Sequence, residues 1–168
     1  LMPVIVQLSE MLLPKKQTQF LGSRVRLEIV EDGETRMIAG HELTSFDIGS
    51  DKIRQFGFTY DIGNGEKLCC LGDDPYRACE EKYARGVKWL LHEAFCLDSQ
   101  ADKYDPYGRF HCTVKDACEN GEMLGVRNLV VYHTEDDHYE IRKELYAEEG
   151  RKYYTGNLFF PNDLESIE

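Results

Sequence analysis

The feature that most constrains this chain is a change of rhythm at Asp73. Before it, apolar and polar residues alternate in short stretches separated by turn residues. After it, short apolar runs give way to loops and then to stretches of helical spacing. The first pattern reads as strands joined by tight turns, the second as strand–loop–helix units. Residues 24–30 alternate, and Glu31-Asp32-Gly33-Glu34 turns into 35–39. Further strands are expected at 42–48 and 56–62, and Asn64-Gly65 is a hairpin signal leading into 67–71. Beyond Asp73, Pro75 can open a helix over 75–85 that Gly86 ends. Val87 to Leu91 form a strand, and 98–109 has the composition of a loop. Thr113 caps a helix in which Val114, Ala117, Cys118, Gly121 and Leu124 share one face, with Gly125 closing it. Leu129 to Val131 form another strand, an acidic turn leads to a charged helix at 138–149, and Asn157 to Pro161 form a last strand. The start holds an apolar segment and then Pro14-Lys15-Lys16, read as an exposed connector. The expected architecture is layered α/β, a mixed sheet with helices on one face.

With 168 residues, 42% hydrophobic, the chain is long enough for a single domain over 1–168 with a real core. No run of 18 apolar residues occurs, so no membrane partner is expected. Leu1 to Val6 lack the basic region and cleavage site of a secretory signal. The net charge is −11, which repels phosphate polymers and leaves nucleic acid as a substrate at most, not a tight partner. Six cysteines carry no Cys-x-x-Cys pair. They read as reduced, buried thiols, which implies a cytoplasmic location.

Against this frame three residues stand where an apolar run meets a loop: Asp73, His111 and His133, spaced 38 and 22 residues apart. Open α/β sheets place their chemistry at such junctions. Asp73 can bridge cations through its carboxylate or, in the plainer reading, cap a helix at Pro75, a task open to Asp74 as well. His133 can offer one ring nitrogen to a metal and the other to a carboxylate, with Glu135, Asp136 and Asp137 nearby; a histidine at a strand end also serves as a hydrogen-bonded structural residue. His111 precedes a helix N-terminus, where it can meet an oxyanion. Glu93 follows a buried strand and needs a partner, for which His111 and His92 are both candidates. His41 and His138 follow no pattern and read as surface residues.

Leu71-Gly72-Asp73, His92-Glu93-Ala94, His111-Cys112-Thr113 and His133 after its strand occur in an order that resembles the metallo-β-lactamase superfamily. The similarity is to the C-terminal half of ribonuclease Z-like hydrolases, from about residue 12 to the end, and includes Pro161-Asn162-Asp163-Leu164-Glu165. It implies half of an αββα sandwich that holds two zinc ions when whole. Asp73 would bridge the metals and His133 would ligate one. His111 would meet the scissile phosphate with Glu93 in support, while a metal-bound hydroxide attacks. The chain departs from the family in several places: a further ligand histidine has no counterpart, and Cys112 stands where the family usually has serine. The family's His-x-His-x-Asp-His motif has no counterpart here, and Thr134-Glu135-Asp136 follows His133 where ribonuclease Z sequences continue with serine and an Arg-Tyr pair.

Two functions of different class follow: a metal-dependent phosphodiesterase completed by a missing N-terminal half or by a second copy, or a non-catalytic module that keeps the half-fold and self-associates. Weak, adventitious metal binding at Asp73 and His133 is a third.

Overall fold

The computed structural model describes residues 2–137 and 139–167. The chain divides into two compact units, 1–31 and 32–168. His138 lies outside the described residues.

In the smaller unit, α1 (Met2–Leu12) is followed by one helical turn, α2 (Lys15–Thr18). Pro14 caps this turn, so Lys15 and Lys16 sit in a helix, not a bare connector. Residues 24–30 are not the expected strand: a single bridge joins Leu21 to Val25, and the chain then runs on without a ladder. Alternation alone does not make a strand, because each backbone amide and carbonyl needs a partner beside it.

The larger unit is built on a seven-stranded sheet in sequence order: β1 (Thr35–Ile38), β2 (His41–Asp47), β3 (Phe56–Gly63), β4 (Glu66–Cys70), β5 (Trp89–Glu93), β6 (Asn128–Tyr132) and β7 (Asn157–Phe159). The first four are antiparallel and the last four parallel, so the expected mixed sheet is observed. Asn64 and Gly65 turn the β3–β4 hairpin, both with positive φ, as a two-residue type I′ turn requires. Gly57 lies across from Phe46, and a Cβ there would fall 2.5 Å from the ring.

Between the parallel strands lie α3 (Glu81–Ala84), α4 (Ala101–Tyr104), α5 (Val114–Leu124) and α6 (Arg142–Gly150). Helix α5 follows the sequence reading: Thr113 and Asp116 form its capping box, Gly125 closes it in the left-handed conformation, and all five residues of the predicted apolar face are buried. The expected 75–85 helix shrinks to a 3-10 turn at Ala78–Glu80 and the single turn α3. The reason is tertiary. Arg77 is extended, its amide donating to the Glu80 carboxylate at 2.7 Å, while its guanidinium reaches Asp74 and Asp51. The 98–109 stretch contains 3-10 turns on either side of α4, and α6 begins only at Arg142.

The helices cover one face, where Phe46, Cys69, Leu90 and Leu129 meet Val114, Ala117, Leu124 and Tyr146. On the other face Phe58, Tyr60, Leu68, Trp89, Leu91 and Phe159 are only half-buried. All six cysteines are free thiols, four of them buried. No helix among the described residues is long and apolar enough to cross a membrane.

Candidate active site

Strands β4, β5 and β6 run parallel, so their carboxyl ends lie at one edge of the sheet. Leu71-Gly72-Asp73 leaves β4 there, Glu93 ends β5, and His133 follows β6. His111 comes from none of these strands. It follows a 3-10 turn at Tyr107–Arg109 and leads into Cys112-Thr113 and α5, which corrects the expectation that it stands where an apolar run meets a loop.

Glu93 is the centre of the cluster and is fully buried. Its Oε1 accepts the Cys112 amide at 2.7 Å, and its Oε2 lies 3.5 Å from Nδ1 of His111. Of the two partners considered for Glu93, His111 is the one that faces the carboxylate. His92 turns away: its Nδ1 meets the Glu93 backbone carbonyl at 2.6 Å and its Nε2 meets the Asn120 amide at 3.2 Å. Burial pushes the Glu93 carboxyl up to about 8, and Asp73 and Asp74 add to the rise against the Cys112 hydrogen bonds. Burial also lowers the basicity of His111, helped by His133 and Lys52 and opposed by Asp73 and Asp74. At neutral pH the proton of this pair therefore rests on Glu93.

His133 faces His111, the ring centroids 4.9 Å apart, and Phe95 stacks on His111 from 5.4 Å. His133 has φ +58, a left-handed conformation uncommon for a residue with a side chain and concentrated at functional positions. Its neighbouring carboxylates are engaged elsewhere: Glu135 takes the Tyr104 hydroxyl, Asp136 pairs with Arg142, and Asp137 pairs with Lys103. Asp73 caps no helix, since 75–77 is not helical. Its charge acts on both Glu93 and His111.

Three contributors were not singled out from the sequence. The Tyr132 hydroxyl, on the last residue of β6, donates to the Gly72 carbonyl and pins the turn that carries Asp73. Gly72 holds φ +85 there, with Ile48 3.3 Å from where a Cβ would sit. Lys52, from the loop after β2, pairs with buried Asp74 at 2.9 Å and rides over the Phe110 ring. Phe95 forms the aromatic floor. None carries a local motif; each acts through residues more than ten positions away.

A catalytic zinc takes three protein ligands and a water. Among the described residues no group of three or more histidine, cysteine, aspartate or glutamate side chains is arranged to hold a metal ion. The residues present do not fit a complete zinc centre. What they can do unaided is hold and pass a proton.

Comparison with known proteins bears on the frame that carries this cluster. No family model matches the chain. It is similar to ribonuclease Z of Thermococcus sibiricus, 28% identical over 103 residues, which is 61% of this chain and 31% of the relative. Among solved structures it superposes on the metallo-β-lactamase fold protein YhfI of Bacillus subtilis with a TM-score of 0.63, at 11% identity, over 79% of this chain and 52% of that one. The fold is that of the metallo-β-lactamase superfamily. A diphosphatase of the PhnP family (TM-score 0.61, 15% identity, 93% and 51% covered) and the short form of human tRNase Z (0.56, 22%, 76% and 42%) share it. The chain spans under a third of the ribonuclease Z it matches and about half of the solved chains, and the resemblance read from the sequence is supported.

Proposed function

We propose that this chain is the acid–base half of a metallo-β-lactamase-fold hydrolase acting on phosphodiesters. The observation that carries the proposal is the buried Glu93 carboxyl 3.5 Å from Nδ1 of His111, with the His133 ring beside it, at the carboxyl ends of three parallel strands. Glu93 orients His111 and holds a proton in reserve. As hydroxide forms a bond to phosphorus and the P–O bond to the leaving group breaks, Glu93 passes its proton to Nδ1 of His111 while Nε2 gives its own proton to the leaving oxygen. The similarity to ribonuclease Z and to a diphosphatase supports phosphate chemistry.

Metal-assisted attack of the di-zinc type would supply a hydroxide nucleophile, with Asp73 and His133 as the ligands from this chain. Two donors fall short of three, so such a centre draws further ligands from outside these residues. The open sheet face around Leu68, Trp89 and Leu91 supports completion by another half-sandwich or a second copy. A second reading, a self-associating module without turnover, is favoured by the lack of a three-donor group among the described residues.

Hydrolysis of bis(p-nitrophenyl) phosphate, with and without added zinc, separates the two. Turnover that falls on the order of a hundredfold or more in His111→Ala is expected. No turnover above buffer under either condition leaves the second reading. Zinc retained after dialysis, compared with Asp73→Ala and His133→Ala, tests the ligand roles, and the mass in solution tests self-association.

A further inference from the structure

The opposite end of the same strands holds a feature that the site does not use. A cavity of about 390 Å³ opens where β4, β5 and β6 begin, and five cationic side chains line it: Lys67, Lys82, Arg85, Lys88 and Arg127. Glu66 is the one carboxylate in its lining. Lys88 pairs with Glu66 at 2.6 Å and Arg85 with Glu81, while Lys82 lies over the Tyr83 ring. Lys67 and Arg127 are exposed and, among the described residues, form no ion pair. The turns that wall the cavity are tipped by Gly65, Gly86 and Gly125, with no side chain to fill it. A quarter of the chain's 20 cations thus converge on one hollow of a protein with net charge −11.

We propose that this cleft binds a compact oligophosphate, an anion with several charges on adjacent phosphates. Convergence on one cavity fits a short, dense anion; an extended polyanion needs a cationic track, and the rest of this acidic surface repels it. The exposed ammonium and guanidinium groups form charge-assisted hydrogen bonds to phosphate oxygens, the guanidiniums bidentately. The cleft is separate from the Glu93–His111 cluster: the five residues of β5 lie between them, roughly 15 Å of strand.

The test is calorimetric titration of the chain with tripolyphosphate and, in a parallel arm, ATP, at low and moderate salt. Saturable one-to-one binding that weakens with salt is expected, on the order of tenfold weaker for each of Lys67→Ala and Arg127→Ala, and unchanged in Asp73→Ala. Equal affinities in the two arms mean that the phosphate chain alone is read; tighter ATP means that a nucleotide is the natural source. The proposal is overturned by no saturable binding at millimolar ligand, or by binding that survives Lys67→Ala/Arg127→Ala with an unchanged melting temperature. It is overturned equally by binding lost in Asp73→Ala, or by a single-stranded oligoribonucleotide binding more tightly than ATP.

Discussion

The two ends of the parallel strands differ in nearly every electrostatic respect. At the carboxyl ends Glu93 is buried and Asp74 is enclosed by Lys52 and Arg77. At the amino ends the charges are cationic, mostly exposed and partly unpaired. Burial decides which physics rules. Desolvation pushes the Glu93 carboxyl up and the His111 imidazole down, whereas the exposed lysines and arginines act through Coulomb attraction that salt screens. One end is suited to moving protons, the other to holding an anion.

The largest effect that sharpens this contrast is expected from Glu93→Ala. It leaves the buried Cys112 amide without its acceptor and opens a cavity, costing on the order of 2–4 kcal/mol in urea unfolding. A loss below about 1 kcal/mol would mean that water enters the cluster and that burial is not its governing feature.

The next is a pH effect. Glu93 and Glu80 are both pushed up to about 8 by burial, above the ordinary carboxyl value of 4.5. The folded chain thus holds protons that the unfolded chain releases, and stability falls as pH rises toward 8. His92, lowered to about 4 by burial, works the other way, but only below its ordinary 6.5. Between pH 6.5 and 8 the carboxyls act alone, and each removes about 2 kcal/mol. In Glu93→Gln, thermal melts across that window should show the fall reduced by one carboxyl's share; an unaltered slope would break the comparison.

A smaller effect of about 1 kcal/mol is expected for Thr113→Ala, which deletes the cap of α5. Because Thr113 directly follows His111-Cys112, the same variant should lower turnover of bis(p-nitrophenyl) phosphate, if the proposed hydrolysis holds, more than its melting temperature explains. The smallest is at the basic end. Lys67→Ala and Arg127→Ala should each shift stability by less than about 0.5 kcal/mol, and a larger loss would make those side chains structural.

Much of the frame was legible from local pattern. The Asn64-Gly65 turn, the apolar face of α5 between Thr113 and Gly125, and the apolar runs that became β4, β5 and β6 are specified by neighbours in sequence. Local pattern failed where distant ties prevailed. Residues 24–30 alternate yet pair with no ladder, and the 75–85 helix gave way to the ties among Arg77, Asp74, Asp51 and Glu80. In the candidate cluster, Asp73, Glu93 and His133 could be singled out because each ends or follows an apolar strand, and His111 because it precedes the capped helix α5. Tyr132, Lys52 and Phe95 were not, since their roles depend on partners far along the chain.

The order of residues alone determined the runs that became β4, β5 and β6, the Asn64-Gly65 turn and helix α5, and which chemistry-bearing side chains stand near their ends, because turn preference and apolar periodicity act over a few positions. Tertiary structure alone decided that Glu93 faces His111 and not His92, that its carboxyl keeps a proton, and that five scattered cations line one hollow. Those outcomes depend on parallel strand register and on the exclusion of water, and both exist only once the sheet and its helices are packed.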